Sequence, residues 1–232
     1  MKKFGIIVFI VAILVGVVLA NLFSFGKASG KIFNLSFGSG IRGSGVAGSE
    51  VRDLAGFKGV DVGGIFQVEI LAGNDFEVAI DADENLLQFI KTDVEGGVLR
   101  ISTSERLKSD NPIRVRISAP DIESLDASGA CKVSLTGVKN SALNVDTSGA
   151  SKITLSGETQ ALTVDVSGAS GVEAESLKAE NATVDASGAS KVSLFVSSRL
   201  ISEASGASKI VYLGNPANVQ KNSSGASKIH QK

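Results

Sequence analysis

The sequence predicts an all-β fold, a single-stranded parallel β-helix of coils about 20 residues long, and three observations carry that expectation. The phrase Ser-Gly-Ala-x-Lys-(Val/Ile) starts at Ser128, Ser148, Ser167, Ser187, Ser205 and Ser224, at intervals of 20, 19, 20, 18 and 19 residues, with Gly171 replacing the Lys in the third copy. A unit this short cannot bury its own apolar face, so the copies must stack along one axis around a shared core. Next, apolar and polar residues alternate with period two around each phrase, which is a strand signature. Finally, the chain has 26 Gly, 3 Pro and no Trp, and Phe195 and Tyr212 are the only aromatics from Asp126 onward. A core of Val, Ile, Leu and Ala with Gly at fixed corners suits narrow β-coils and disfavours a helical solenoid.

The chain opens with Lys2 and Lys3 ahead of an unbroken apolar run, Phe4 to Ala20. Residues 1–25 therefore read as an apolar helix, either a secretory signal peptide or an N-terminal transmembrane anchor, and in both cases the rest of the chain lies outside the cytoplasm. Val18-Leu19-Ala20 is a weak cleavage site, and extension through Phe25 gives 22 residues, enough to cross a bilayer with some tilt. Both points favour the uncleaved anchor. Residues 26–50, rich in Gly and Ser, read as a flexible tether.

The folded domain is expected over residues 51–232, with irregular first coils up to 120 and regular coils from 121. In the irregular part Val60, Val62 and Ile65, then Val68 and Ile70, then Phe76, Val78 and Ile80 follow a mostly alternating pattern broken by Gly63-Gly64 and Gly73-Asn74-Asp75. Asp83 to Phe89 breaks the alternation and suggests one or two helical turns with Asp83 as N-cap. Strands resume at Ile90 to Val94, Val98 to Thr103 and Ile113 to Ser118.

In the regular part, strand alternation turns the Val/Ile after each Lys, and the residue two further on, inward, leaving the Lys and the hydroxyl residue outside. Leu143 and Val145, Leu162 and Val164, and Ala182 and Val184 form a second inward wall. Gly permits the tight corner, and the following Ala is expected to fill the inside of the bend.

With the opening Phe57-Lys-Gly-Val-Asp-Val-Gly-Gly-Ile-Phe-Gln-Val-Glu-Ile70, then Ala82-Asp-Glu-Asn-Leu86, Gly97-Val-Leu-Arg-Ile101 and Ile113-Arg-Val-Arg-Ile-Ser-Ala-Pro-Asp-Ile122, the stretch from about Val51 to Ile229 resembles the head GIN domain family, described as auto-transporter adhesins. The resemblance implies a right-handed β-helix on an extracytoplasmic protein. It supplies no catalytic residues, and no outer-membrane barrel is present that would make the word auto-transporter literal.

Stacked coils put equivalent residues in columns. One column holds Asp126, Asp146, Asp165, Asp185 and Glu203 and ends at Asn222; another holds Lys132, Lys152, Lys191, Lys209 and Lys228, skipping Gly171. Like charges at coil spacing repel, so each column requires a countercharge. A row of Ca²⁺ ions would serve the acids, but the repeat lacks the Gly-Gly-x-Gly-x-Asp pattern of calcium-binding β-rolls. The expectation is instead that each acid faces the Lys of its own corner, with no metal and no cofactor.

The acids are spread evenly and aromatics are scarce, so nothing resembles the carboxylate pair of a glycosidase cleft. The sole His, His230, lies in a tail expected to fray, so no catalytic residue is assigned. Cys131 occupies a position that is Ser in the other five copies and reads as a tolerated replacement. A formal net charge of −1 argues against nucleic acid as a partner.

The chain is thus expected to be a noncatalytic surface or cell-envelope protein that presents a repetitive β-helix face to an external ligand and meets the membrane through its N-terminal segment. Unpaired backbone at a β-helix end makes a self-assembling structural module, and hence a homo-oligomer, the alternative. A polysaccharide-active enzyme is the third reading, resting on fold analogy alone.

Overall fold

The computed structural model describes residues 40–232, and the apolar N-terminal run lies outside them. The strands in chain order are β1 (Ile41–Arg42), β2 (Ala47–Arg52), β3 (Gly59–Gly64), β4 (Gln67–Ala72), β5 (Glu77–Asp83), β6 (Ile90–Glu95), β7 (Val98–Thr103), β8 (Leu107–Lys108) and β9 (Arg114–Ala119). The repeats follow as β10 (Ser124–Gly129), β11 (Lys132–Thr147), β12 (Lys152–Val166), β13 (Gly171–Ala186), β14 (Lys191–Ala204), β15 (Lys209–Leu213), β16 (Asn218–Ser223) and β17 (Lys228–Gln231). All pairings among the repeats are parallel and join equivalent residues of successive copies, which is the predicted β-helix.

The core is a set of aliphatic columns. Val133, Ile153, Val172, Val192 and Ile210 form one, Leu135, Leu155, Ala174, Leu194 and Tyr212 another, and all are buried. The wall formed by Leu143, Val145, Leu162, Val164, Ala182 and Val184 is buried as expected. Three to five buried Val, Leu or Ile side chains in each of the coils β11 to β14, each contributing about 1.5–3 kcal/mol when removed from water, hold the stack together.

The corner differs from expectation in one respect. Ala130, Ala150, Ala169, Ala189 and Ala207 are exposed, and the next residue fills the bend: Cys131, Ser151, Ser170, Ser190 and Ser208 are all buried. The reason is the corner glycine. Gly129, Gly149, Gly168, Gly188, Gly206 and Gly225 adopt φ between 69° and 88° and turn the chain while the period-two alternation keeps its phase, so the Ala after each Gly stays outside and the residue after it points in. A Cβ at Gly168 would also lie 2.5 Å from the carbonyl oxygen of Gly149 one coil away. That carbonyl accepts the N–H of Ala169 at 2.8 Å, and the same bond recurs from copy to copy.

A second bend, at Gly137 and Gly157, turns each coil onto a third, shorter ladder through Lys139, Glu158 and Lys178. Here the uneven repeat length is absorbed. From β11 to β12 the register runs 20 residues at Leu135–Leu155 but 19 at Val138–Gly157, with the irregularity between them. Coils of 18 to 20 residues therefore stack without disturbing either long face.

The first coils are not stacked in chain order. The β3–β4 coil sits between β7 and β9 on one side and β10 and β11 on the other. The far side of that outermost coil is covered by antiparallel strands, β6 on β7, β5 on β9 and β2 on β5, so its edges are paired.

Two local expectations fail here for identifiable reasons. Asp83 caps no helix: only a single 3₁₀ turn, Leu87–Phe89, forms, and it lacks a side-chain cap. Instead the buried Asp83 carboxylate accepts hydrogen bonds from Ser109 Oγ at 3.1 Å and Asn111 Nδ2 at 3.0 Å, pinning the polar loop before β9. Ordered structure also begins before Val51. The Gly-rich stretch packs closely, since a Cβ at Gly43 would fall 1.7 Å from Asp83 Oδ2, and Asn85 bonds both Ser44 N–H and the Arg42 carbonyl. Ile65 and Phe76 point partly to solvent, while Phe66 fills the corner inside.

A Gly168→Ala variant is expected to lose at least about 2 kcal/mol in urea unfolding, from the left-handed backbone and the clash with Gly149. Gly171→Ala is the control. Its Cβ meets nothing closer than 3.6 Å and its φ is ordinary, so its stability should stay within about 0.5 kcal/mol of the parent.

Candidate functional site

The two long faces carry the charge. On the first, strand register aligns Arg100, Asp61, Asp126, Asp146, Asp165, Asp185, Glu203 and Asn222 in one outward column. Asp61 extends the expected column by one coil. Its context, Val60-Asp-Val-Gly-Gly64, repeats the pattern of Val145-Asp-Thr-Ser-Gly149 without the Ser-Gly-Ala phrase, and that pattern was the available signal. The flanking outward columns are neutral: Ser124, Asn144, Thr163 and Thr183 on one side and the corner serines on the other.

The second long face carries Arg114, Gln67, Lys132, Lys152, Gly171, Lys191, Lys209 and Lys228 in one column. Beside it run Ser134, Thr154, Glu173, Ser193, Val211 and His230. The Gly171 gap is bridged: Lys152 Nζ lies 2.8 Å from Glu173 Oε1 of the next coil. His230 sits in β17, opposite Val211, so the tail expected to fray is an ordered strand.

The acids do not meet the lysines of their own corners. Among the described residues no ion pair joins any of Asp126, Asp146, Asp165, Asp185 or Glu203 to a base, and Lys132, Lys191, Lys209 and Lys228 are equally unpaired. The intervening Ser-Gly-Ala-x corner turns the chain so that the two residues project from different faces. The expected neutralisation therefore does not occur. Burial raises the Asp126 and Asp165 carboxyls above their ordinary range, and repulsion from Asp61 and Asp146, and from Asp185 and Asp146, adds to it. Nor do the acids form a chelating group: no cluster of three or more His, Cys, Asp or Glu among the described residues is arranged to hold a metal ion.

Inside the corner runs a column of small polar groups. Cys131 Sγ lies 3.3 Å from the Ser128 carbonyl, Ser151 Oγ accepts from Cys131 N–H at 3.2 Å, and Ser208 Oγ donates to the Ala186 carbonyl at 2.9 Å. Burial pushes the Cys131 thiol up, away from the reactive thiolate. Its role is to fill the corner. Further along, the inward position after Val184 is taken by Ser202 and then Lys221, whose Nζ lies 4.6 Å from the centre of the Tyr212 ring. That ammonium covers the aromatic end of the core.

The comparisons agree with this architecture. Residues 56–216 match the family model described as "Putative auto-transporter adhesin, head GIN domain". The chain belongs to that family. A "putative adhesin" from Bacteroides fragilis NCTC 9343 superposes with a TM-score of 0.69 at 18% identity, covering 83% of this chain and all of the other. A "putative lipid binding protein" from Parabacteroides distasonis ATCC 8503 gives 0.51 at 17% identity over 83% of this chain and 99% of that one. A "putative adhesin" from Parabacteroides merdae ATCC 43184 gives 0.50 at 15%, covering 83% and 98%. At such identities the likeness concerns the fold. No curated protein is recognisably similar to the chain.

Two predictions follow from the columns. Because the Asp165 carboxyl is raised on folding, its contribution is fully present below its unfolded pKa and is lost as pH rises through the folded value. Asp165→Asn should therefore raise the melting temperature at pH 7, with the gain shrinking toward pH 4. Cys131 should stay unreactive to a thiol reagent until the chain unfolds, and Cys131→Ser should cost less than about 1 kcal/mol, since the neighbouring coils already carry Ser there.

Proposed function

We propose that this head GIN domain protein is a noncatalytic, extracytoplasmic surface protein that uses its β-helix as a binding face for an external partner. The observation that carries the reading is the pair of long faces, one acidic and one basic, whose column charges, Lys152 apart, have no ion-pair partner among the described residues. Holding like charges in a row costs free energy, and a partner of opposite charge returns it. The family description and the adhesin names of the structural relatives support the same class. In this reading the N-terminal apolar run holds the domain at the membrane or directs its export.

The test is binding of the intact chain to a panel of cell-envelope fractions, extracellular glycans and matrix proteins, at low and high salt. Specific, salt-sensitive capture that falls at least about tenfold in Lys191→Gln/Lys209→Gln/Lys228→Gln or in Asp146→Asn/Asp165→Asn/Asp185→Asn supports it. Capture unaffected by both sets would end it.

A further inference from the structure

The acidic and basic columns share a property that few outside partners could match. Both ride on the same stack of coils, so both repeat at the strand spacing of about 4.8 Å, and both run for about 24 Å, Asp61 to Glu203 on one face and Lys132 to Lys228 on the other. A rigid row of charges with this period is commensurate with a rigid row of opposite sign only if that row has the same period. The surface certain to have it is another copy of this chain.

We infer that copies of this protein bind one another side by side, the acidic face of one docking on the lysine face of the next. The inference rests on the binding-face reading above and names the partner. Four features support it. Beside Asp126, Asp146, Asp165 and Asp185 the flanking columns are Ser, Thr and Asn, and the base on the repeats' part of that ladder, Arg199, stands four residues from Glu203 at the far end and makes no ion pair with any of the acids among the described residues. On the lysine face the two acids of β13 are already engaged, Glu173 by Lys152 and Glu175 by Lys232, and among the described residues Lys132, Lys191, Lys209 and Lys228 have no ion-pair partner. Between the charges Ser134, Thr154 and Ser193 on one face and the corner serines on the other are small, so the two sheets can approach closely there, Glu173, Val211 and His230 being the larger members of the column beside the lysines. Last, the formal net charge of the whole chain is only −1, so segregation of charge gives each copy one face of each sign without strong overall repulsion.

The contact is heterologous. Using the acidic face of one copy and the basic face of another leaves one of each unused, so it propagates into rows. Each exposed ion pair contributes about 0–1 kcal/mol, so single copies in dilute solution associate weakly and the contact matters where many copies share a surface. Such a contact would join copies on one cell, or on two cells that face each other.

The experiment uses the intact chain, biotinylated and displayed on streptavidin beads in red and green populations. Wild-type beads should cluster at low salt and disperse at high salt. Beads carrying only Asp146→Asn/Asp165→Asn/Asp185→Asn, or only Lys191→Gln/Lys209→Gln/Lys228→Gln, should lose clustering at least about tenfold, because each population keeps one face and lacks its complement. Mixing the two populations should restore clustering, with red beads against green. Thermal melting of both variants checks that the coils remain folded. Wild-type beads that never cluster, clustering that survives in either variant alone, or a mixture that stays dispersed would each overturn the inference. If wild-type beads stay dispersed yet bind an anionic glycan or an envelope fraction through the lysine face, the self-recognition is wrong and the broader binding-face reading stands.

Discussion

At each Ser-Gly-Ala corner the carbonyl of one glycine accepts the N–H of the alanine in the next coil at 2.7 to 2.8 Å, and the glycines above and below approach too closely for any Cβ. This contact sets the pitch of the stack and the direction in which every coil leaves the bend. The glycine, in the left-handed region, turns the chain sharply while the alternation of side chains keeps its phase across it. The following Ala is left outside and the Cys or Ser after it is turned in. The aliphatic columns then fall into register on both sides, and the core closes around them.

The same corner separates the charges. The acid and the lysine of one copy lie six residues apart in the chain, yet a rigid bend stands between them, and side-chain reach does not overcome it. Neighbouring acids at coil spacing repel by roughly 0.9 kcal/mol in a water-like dielectric. Three to five buried Val, Leu or Ile side chains per coil contribute several times that, so the stack tolerates the unpaired column. What remains is a surface whose charges are held in fixed rows by a core that does not depend on them. That separation is what makes a recognition role physically reasonable.

The repeats were legible because their signals are local. A β-strand shows its two faces in every second residue, so Val133 and Leu135 inward, with Lys132 and Ser134 outward, could be read without knowing what they pack against. The first coils resisted reading because their order in space is not their order in sequence. Nothing in Gly59–Gly64 says that β7 will stack on one side of it and β10 on the other. Asp83 shows the same difficulty at the scale of one residue. Its sequence context resembles a helix cap, while its actual partners, Ser109 and Asn111, lie in a loop more than 25 residues away. The Gly-rich segment before Val51 has the composition of a tether because Gly is flexible when free, whereas here Gly43 is required by close packing.

By itself, then, the sequence determined the β-helix, its coil length, its core and the two columns of outward charge, because each follows from period-two alternation and a repeated corner. Only the tertiary structure decided that the columns lie on different faces with their charges unmatched, that Asp61 joins one of them, and that uneven repeats are absorbed at the second bend. The physical reason is common to all three. They depend on the angle through which a glycine corner turns the chain and on which coil becomes its neighbour, and neither quantity is carried by any single residue or its spacing.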